Sequence, residues 1–199
     1  ANMPYAFPNR KISHTMKSTH LTTWWWRSVG SSQNAFALEC FMDELSVAAK
    51  QDPFAYRRAR LGGNKAMIDV LDILEEKSNW KTRMPEGSAR GMAIHESFGT
   101  ICGTVAEVSI SPGGTLSVSR VVAVVDCGNL VNPSSASMQV ESAIVFGLSA
   151  VLYGKITVEK GRVLEDNFDT YEVMRMANTP VIETHFALSG GDKWGGLGE

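Results

Sequence analysis

The sequence predicts an α+β fold, with helices in the first half and antiparallel strands in the second. Three observations carry that reading. Apolar residues keep helical spacing between residues 34 and 80. Alternating, β-branched patterning takes over after residue 91. Hairpin signals then stand at "SPGG" (111–114) and at Lys160–Gly161. The expected layout is a loop and helical part over 1–90, then an antiparallel β/α part over 91–199 whose strands pack on one long helix.

Residues 1 to 23 are polar and read as extended, with Ala1–Asn2 ahead of Met3 taken as a leftover of expression. Gln33 or Asn34 can start a helix through "AFALECFMDELSVAAK", in which Phe36, Cys40, Leu45 and Ala48 keep helical spacing. "FMDEL" in that stretch reads as a solvated helix face beside a buried one. "DPFAYRRARL" starts a second helix, Asp52 being its N-cap and Pro53 its first residue. "KAMIDVLDILEEKSNW" gives a third, with Met67, Val70, Leu71 and Leu74 on one face. "MPEGSARG" (84–91) reads as a turn-rich linker. "TVAEVSI" and "TLSVSRVVAVVDCG" then flank the first hairpin signal. A long helix begins near Asn132 and Pro133, "KITVEKGRVLEDNF" is a second hairpin, and "VIETHFAL" is the last strand. Asp126 and Asn132 read as turn and helix-cap residues, and His95 as a hydrogen-bonded core histidine.

At 199 residues the chain is long enough to bury a sizeable core, and 44% hydrophobic with 20% charged residues is ordinary for a globular protein. A net charge of -2 offers no field for nucleic acid or an anionic membrane. The apolar run "AIVFGLSAVLYG" (143–154) is too short to span a bilayer and reads as a buried helix. Cys40, Cys102, Cys127 and the four histidines show no metal-ligand spacing, which argues against a zinc or iron–sulfur site built by this chain. The final "GGLGE" is a glycine-rich turn with no closing element, so the chain reads as an excised piece of a longer protein.

"WWWRSVGSSQNAF" (24–36) sets Arg27 among Trp24, Trp25 and Trp26, then runs into small and amide residues. Together with "ESFGTICGTVAEVSI", "VVAVVDCGNLVNP", "GRVLEDNFDTYEVMRM" and the terminal "GGLGE", in that order, it covers nearly the whole chain. The sequence resembles the molybdopterin-binding large subunit of xanthine dehydrogenase and aldehyde oxidase-type molybdenum hydroxylases. Within that family it looks like the isoquinoline 1-oxidoreductase beta-subunit branch. The resemblance implies a molybdenum cofactor-binding domain, a late part of a subunit several times longer.

It also implies residue roles. Arg27 falls on the family's arginine beside the metal, where an always-charged guanidinium with five fixed donors suits an anionic centre. Ser28, Gly30, Ser31 and Ser32 let backbone amides approach the cofactor. The other reading of Arg27 is a structural arginine stacked on Trp25 or Trp26. Trp26 and Val29 fall on the substrate-pocket wall; Val29 stands at a position often aromatic in purine-oxidising relatives, so it leaves more room. Glu199 falls on the general base that takes a proton from the attacking, water-derived oxygen. The glycines before it, Gly196 and Gly198, allow tight approach to the cofactor, although a terminal glutamate is otherwise just a frayed end. Gln139 matches a cofactor-contacting glutamine and is otherwise a solvent-facing helix residue. Relatives follow that glutamine with Glu–Gly–Gly, whereas here Glu141 precedes Ser142 and Ala143.

The implied parent reaction is hydroxylation of an aldehyde or N-heteroaromatic carbon with a water-derived oxygen. The implied cofactor is molybdenum-molybdopterin, in its cytosine dinucleotide form, with no metal ligated directly by protein. Electrons would leave through a [2Fe–2S] small subunit, with a cytochrome c as a further acceptor. The isolated chain is expected to be inactive, to carry no cofactor, and to self-associate through an exposed apolar face. No nucleic-acid partner is expected. Bacterial cytoplasm, periplasm and a membrane-associated complex stay open as locations. The competing class is a non-catalytic relic or interaction domain that keeps the fold without the metal.

Overall fold

A computed structural model of the protein describes residues 3–18 and 20–199, so the expected leftover at Ala1–Asn2 lies outside the described residues. Helices α1 (Ser31–Ala48), α2 (Pro53–Arg58) and α3 (Lys65–Lys77) come first. Strands β1 (Ser88–Ser97), β2 (Thr100–Ile110) and β3 (Leu116–Asp126) follow, then helix α4 (Pro133–Leu152). The two-stranded hairpin β4 (Val158–Glu159) and β5 (Arg162–Val163), a 3₁₀ turn at Met176–Asn178 and strand β6 (Val181–Phe186) follow. The main sheet has the order β1-β2-β3-β6.

The α+β class is as the sequence predicts. The Asp52 carboxylate accepts from the Phe54 and Ala55 amides and starts α2, and Asn132 caps α4 by accepting from Ser135. Lys160 and Gly161 both have positive φ (50° and 80°), which matches the right-handed twist of the hairpin they close. On α3, Met67, Val70, Leu71 and Leu74 are all buried. They pack beneath β2 and β3 with Ile94, Val105, Val122 and Val124. This one cluster also takes in Tyr5, Met42 and Phe54, so it draws side chains from both sides of residue 90.

Five expectations fail in their details. Helix α1 starts at Ser31, three residues before Asn34, with Gly30 at its N-cap and no side-chain cap. Its inner face is Leu38, Glu39, Met42, Leu45 and Ser46, while Phe36 and Cys40 are exposed. A carboxylate on the core face defeats an apolar-periodicity reading. Glu39 is buried because Tyr5 Oη (2.8 Å), Arg57 Nε (2.9 Å) and the Ile94 amide (3.0 Å) all donate to it. Second, the supposed linker enters strand β1 at Ser88, and α1 covers this edge strand by supplying Glu39 to its outward N–H.

Third, β6 runs parallel to β3, from Arg120↔Val181 to Val125↔Phe186. A helix and a hairpin lie between these two strands, and a crossover of that length returns the chain to the same end of the sheet. Fourth, "AIVFGLSAVLYG" is not buried. Its residues 143–152 end a 20-residue helix that is long and apolar enough, by length and composition alone, to cross a membrane. Within α4 only Ala136 and Val140 are buried. Val140 joins a small second cluster on the sheet face away from α3, formed with Ala123, Val125, Phe186 and the α4 residue Ile144. Fifth, His95 is half-buried with no side-chain hydrogen bond among the described residues.

Candidate functional site

The "WRSVG" stretch forms a tight turn in front of α1. The Val29 amide donates to Trp26 O (3.0 Å) and the Ser31 amide to Ser28 O (2.9 Å). Ser28 and Val29 take φ of 82° and 52°, two successive left-handed residues neither of which is glycine. Each costs about 1–3 kcal/mol relative to ordinary backbone, and such strain gathers at functional sites. Arg27 points from this turn toward the chain end and α4. Its Nε donates to Gly198 O (3.2 Å), its Nη1 to Ser142 Oγ (3.3 Å), and its Cζ lies 5.6 Å from the Phe146 ring centroid. The aromatic partner of Arg27 is therefore Phe146 rather than Trp25 or Trp26. Trp26 packs on the same ring, 5.9 Å away at an interplanar angle of 57°.

The chain end is brought to this turn by a chain of polar contacts that begins at Asp126. That buried carboxylate accepts from the amides of Gly128 (2.8 Å) and Ser189 (3.0 Å), from Ser189 Oγ (3.0 Å) and from Lys193 Nζ (3.2 Å). Burial raises its pKa, but the Ser189 and Gly128 amides and the Lys193 ammonium outweigh this and hold it below the usual carboxylate range. The Gly195 amide then donates to Cys127 O, the Gly196 amide to Phe98 O, and Thr100 Oγ1 to Gly196 O (2.8 Å). A Cβ at Gly195 would stand 2.6 Å from Gly99 O, so only glycine permits this approach. Glu199 follows four residues later. Its Oε2 accepts from the Ser28 amide at 2.8 Å, joining positions 171 residues apart.

Between the turn, the β1–β3 face, α4 and the tail lies a cavity of about 290 Å³. Ser28, Ser31, His95, Ser97, Thr100 and Glu199 supply its polar lining, and Phe98, Val125, Ile144 and Leu197 its apolar lining. Cys102 lies on its floor, its thiol pushed up to about 11 by burial and so protonated at neutral pH. Burial also lowers the His95 pKa, against a smaller upward pull from Glu39 and Glu96.

Of the residues singled out in the sequence, Arg27, Ser28, Gly198 and Glu199 converge in direct contact, and Gly196 lines the cavity. Gly30 serves as the α1 N-cap. Trp26 and Val29 stand outside the cavity lining, both substantially exposed. Gln139 is exposed on α4, one turn before the Ser142 that Arg27 contacts. Sequence reasoning missed Ser142, Phe146 and the supporting role of Thr100. The departure from Glu–Gly–Gly at 141–143 was the one available signal, since it places a hydroxyl where Arg27 reaches.

The donor set suits an anionic, phosphate-bearing group. It offers a guanidinium, the Ser28 amide, which already holds a Glu199 carboxylate oxygen, and serine hydroxyls. Space beside Gly198 is open, with no atom within 4 Å of where a Cβ would be. Among the described residues no group of three His, Cys, Asp or Glu could hold a metal ion.

Comparison with known proteins decides the family. Residues 64–180 match the molybdopterin cofactor-binding domain model. The chain belongs to that family. This molybdopterin cofactor-binding domain is 30% identical, over 98% of its length, to the membrane-bound aldehyde dehydrogenase of Gluconacetobacter polyoxogenes, whose name assigns it pyrroloquinoline quinone. It is 30% identical over 94% of its length to the beta subunit of isoquinoline 1-oxidoreductase from Brevundimonas diminuta. It is 28% identical over 90% of its length to a subunit of nicotinate dehydrogenase from Pseudomonas putida. The chain spans 28%, 25% and 17% of those three relatives. Its fold is that of part of the aldehyde oxidoreductase from Desulfovibrio gigas, with a TM-score of 0.67, 11% identity, and coverage of 88% of this chain and 37% of that one.

Proposed function

We propose that this domain supplies one wall of the molybdenum site in the large subunit of a molybdenum hydroxylase, with Glu199 as the general base. The observation that carries the reading is the contact between the Ser28 amide and Glu199 Oε2, made beside Arg27 by segments from opposite ends of the chain. Molybdenum-molybdopterin, when bound, supplies the two-electron redox chemistry and acidifies the water-derived oxygen that attacks substrate. Arg27 holds the anionic cofactor, aimed by the strained Ser28–Val29 turn that follows it. Gly196 and Gly198 keep side chains out of its way. Gln139, on the α4 face that meets Arg27, contacts the pterin edge. The Ser28 amide orients the Glu199 carboxylate, which takes the proton from the attacking oxygen while the apolar lining excludes bulk water.

The substrate is an aldehyde or an N-heteroaromatic ring, entering past Trp26 and Val29. The cofactor is the cytosine dinucleotide form, and electrons pass to a [2Fe–2S] small subunit and on to a cytochrome c. A non-catalytic relic would keep the buried Asp126 hub but has no need of the strained Ser28–Val29 turn.

The test is Glu199→Gln in the full-length enzyme with its partner subunit. Molybdenum content should be unchanged, because the amide is nearly isosteric. Anaerobic single-turnover reduction should slow by roughly 10²–10⁴-fold, the usual contribution of a positioned general base. Normal loading with wild-type reduction rate removes Glu199 from the chemistry.

A further inference from the structure

We infer that His95 is a specificity-determining residue whose imidazole hydrogen-bonds a ring heteroatom of the substrate, so that the site favours N-heteroaromatic molecules over plain aldehydes. The inference rests on the proposed function, which puts substrate in the cavity beside Glu199. Strand register places His95 directly opposite Cys102, Cys102 opposite Val125, and Val125 opposite Phe186. Residues opposite one another share a sheet face, and His95, Cys102 and Val125 of this row floor the cavity. His95 is its one member with strong hydrogen-bonding capacity.

The neighbouring hydroxyls do not use that capacity. Ser31 Oγ and Ser97 Oγ hydrogen-bond each other at 2.7 Å, and the imidazole is left with no hydrogen bond among the described residues. The charged groups that act on His95 are Glu39 and Glu96, with Glu199 across the cavity. Burial outweighs them and favours the neutral ring, which carries one donor and one acceptor nitrogen. A half-buried imidazole that substrate would cover loses its water, and it regains a partner only if the substrate supplies one. A benzaldehyde-type substrate, whose carbonyl is consumed at the reacting carbon, has nothing further to offer. A ring nitrogen does.

Room for such a ring continues past the imidazole. A second cavity of about 660 Å³ lies between α1 and the N-terminal segment, and Ser31 and His95 belong to the walls of both. Beyond them its lining includes Leu38, Phe41 and Leu45. A fused ring or an apolar ring substituent fits there.

The experiment uses the full-length enzyme and two probes of equal size, 1-methylisoquinoline, whose reactive carbon is blocked, and 1-methylnaphthalene. Calorimetry should show wild type binding the nitrogen-containing ring more tightly. His95→Leu should cut that preference about tenfold or more, the cost of an unmet buried hydrogen bond. His95→Gln, which keeps a donor and an acceptor, should restore part of it. In turnover, the ratio of kcat/KM for isoquinoline to that for 1-naphthaldehyde should fall by a similar factor in His95→Leu. No wild-type preference between the two probes, or a preference unchanged in both variants, overturns the assignment. If His95→Leu does not fold, the wild-type preference and its change in His95→Gln decide. If the wild type binds the rings selectively yet oxidises neither substrate, the proposed function fails while the role of His95 in recognition stands.

Discussion

Two side chains determine whether the chain end reaches the site. Arg27 bridges Gly198 O, Ser142 and the Phe146 ring, and every one of these contacts is partly exposed to solvent. In the full-length enzyme, Arg27→Ala should lower both molybdenum occupancy and turnover, since it removes a charge-assisted contact of roughly 1.5–3 kcal/mol. Metal per polypeptide by mass spectrometry checks this, and unchanged occupancy with unchanged rate would make Arg27 structural only. Asp126 acts from beneath. Replacing it with Ala leaves the Gly128 and Ser189 amides and Lys193 without their acceptor and should cost about 3 kcal/mol. Its folded-state pKa is depressed, so its stabilisation is fully present above the unfolded carboxylate range and is lost as pH falls through the lower, folded value. The stability gap between wild type and Asp126→Ala should therefore be constant above about pH 5 and narrow below about pH 4. Urea titrations across that range test it, and a gap that widens in acid would contradict it.

Among the elements, α1 matters most, because its N-terminus carries the Ser28 turn and its middle is fixed by Glu39. Arg57 is fully buried and pairs with both Glu39 (2.9 Å) and Asp43 (2.8 Å), while burial and Glu39 together keep the Tyr5 hydroxyl protonated as a donor. Glu39→Ala should destabilise by about 3–5 kcal/mol, because it leaves the buried Arg57 with Asp43 alone and strips the Tyr5 hydroxyl and the Ile94 amide of their acceptor. Replacing both, as Glu39→Leu with Arg57→Met, should cost much less than the sum of the single changes. Denaturant midpoints for the three variants decide it, and strict additivity would refute the coupling. This buried network also explains how far the sequence could be read. Helix α3 was legible because its inner face is wholly apolar, and α2 because Asp52 and Pro53 mark its start. The inner face of α1 was not, since Glu39 looks like a surface residue until Tyr5, Arg57 and the β1 edge are in place. The parallel direction of β6 was equally hidden, because it depends on where α4 returns the chain. The site motifs in the Arg27 loop and at Glu199 were recognisable as sequence. Support from Ser142, Phe146 and Thr100 was not, because those contacts span the whole fold.

At the scale of the whole molecule, the helices and the sheet enclose one apolar core, and α4 is left only half-attached to the opposite face. Met138 is 58% exposed and Val151 80% exposed, on a helix whose burial rests on Ala136 and Val140. Trp24, Trp25 and Phe36 add exposed aromatic surface elsewhere. Exposed apolar surface of this kind favours association in water. The isolated 199-residue chain should therefore self-associate in a concentration-dependent way. Met138→Lys with Val151→Lys should shift it toward monomer while changing unfolding free energy by no more than about 0.5 kcal/mol per site, as is usual for exposed positions. Neither substitution touches Ser142 or Phe146, so the Arg27 contacts should survive. Sedimentation velocity at several concentrations, paired with urea unfolding of the same samples, separates the two effects. A wild-type chain that stays monomeric at high concentration, or a double variant that associates as strongly as wild type, would show that α4 is not the adhesive surface.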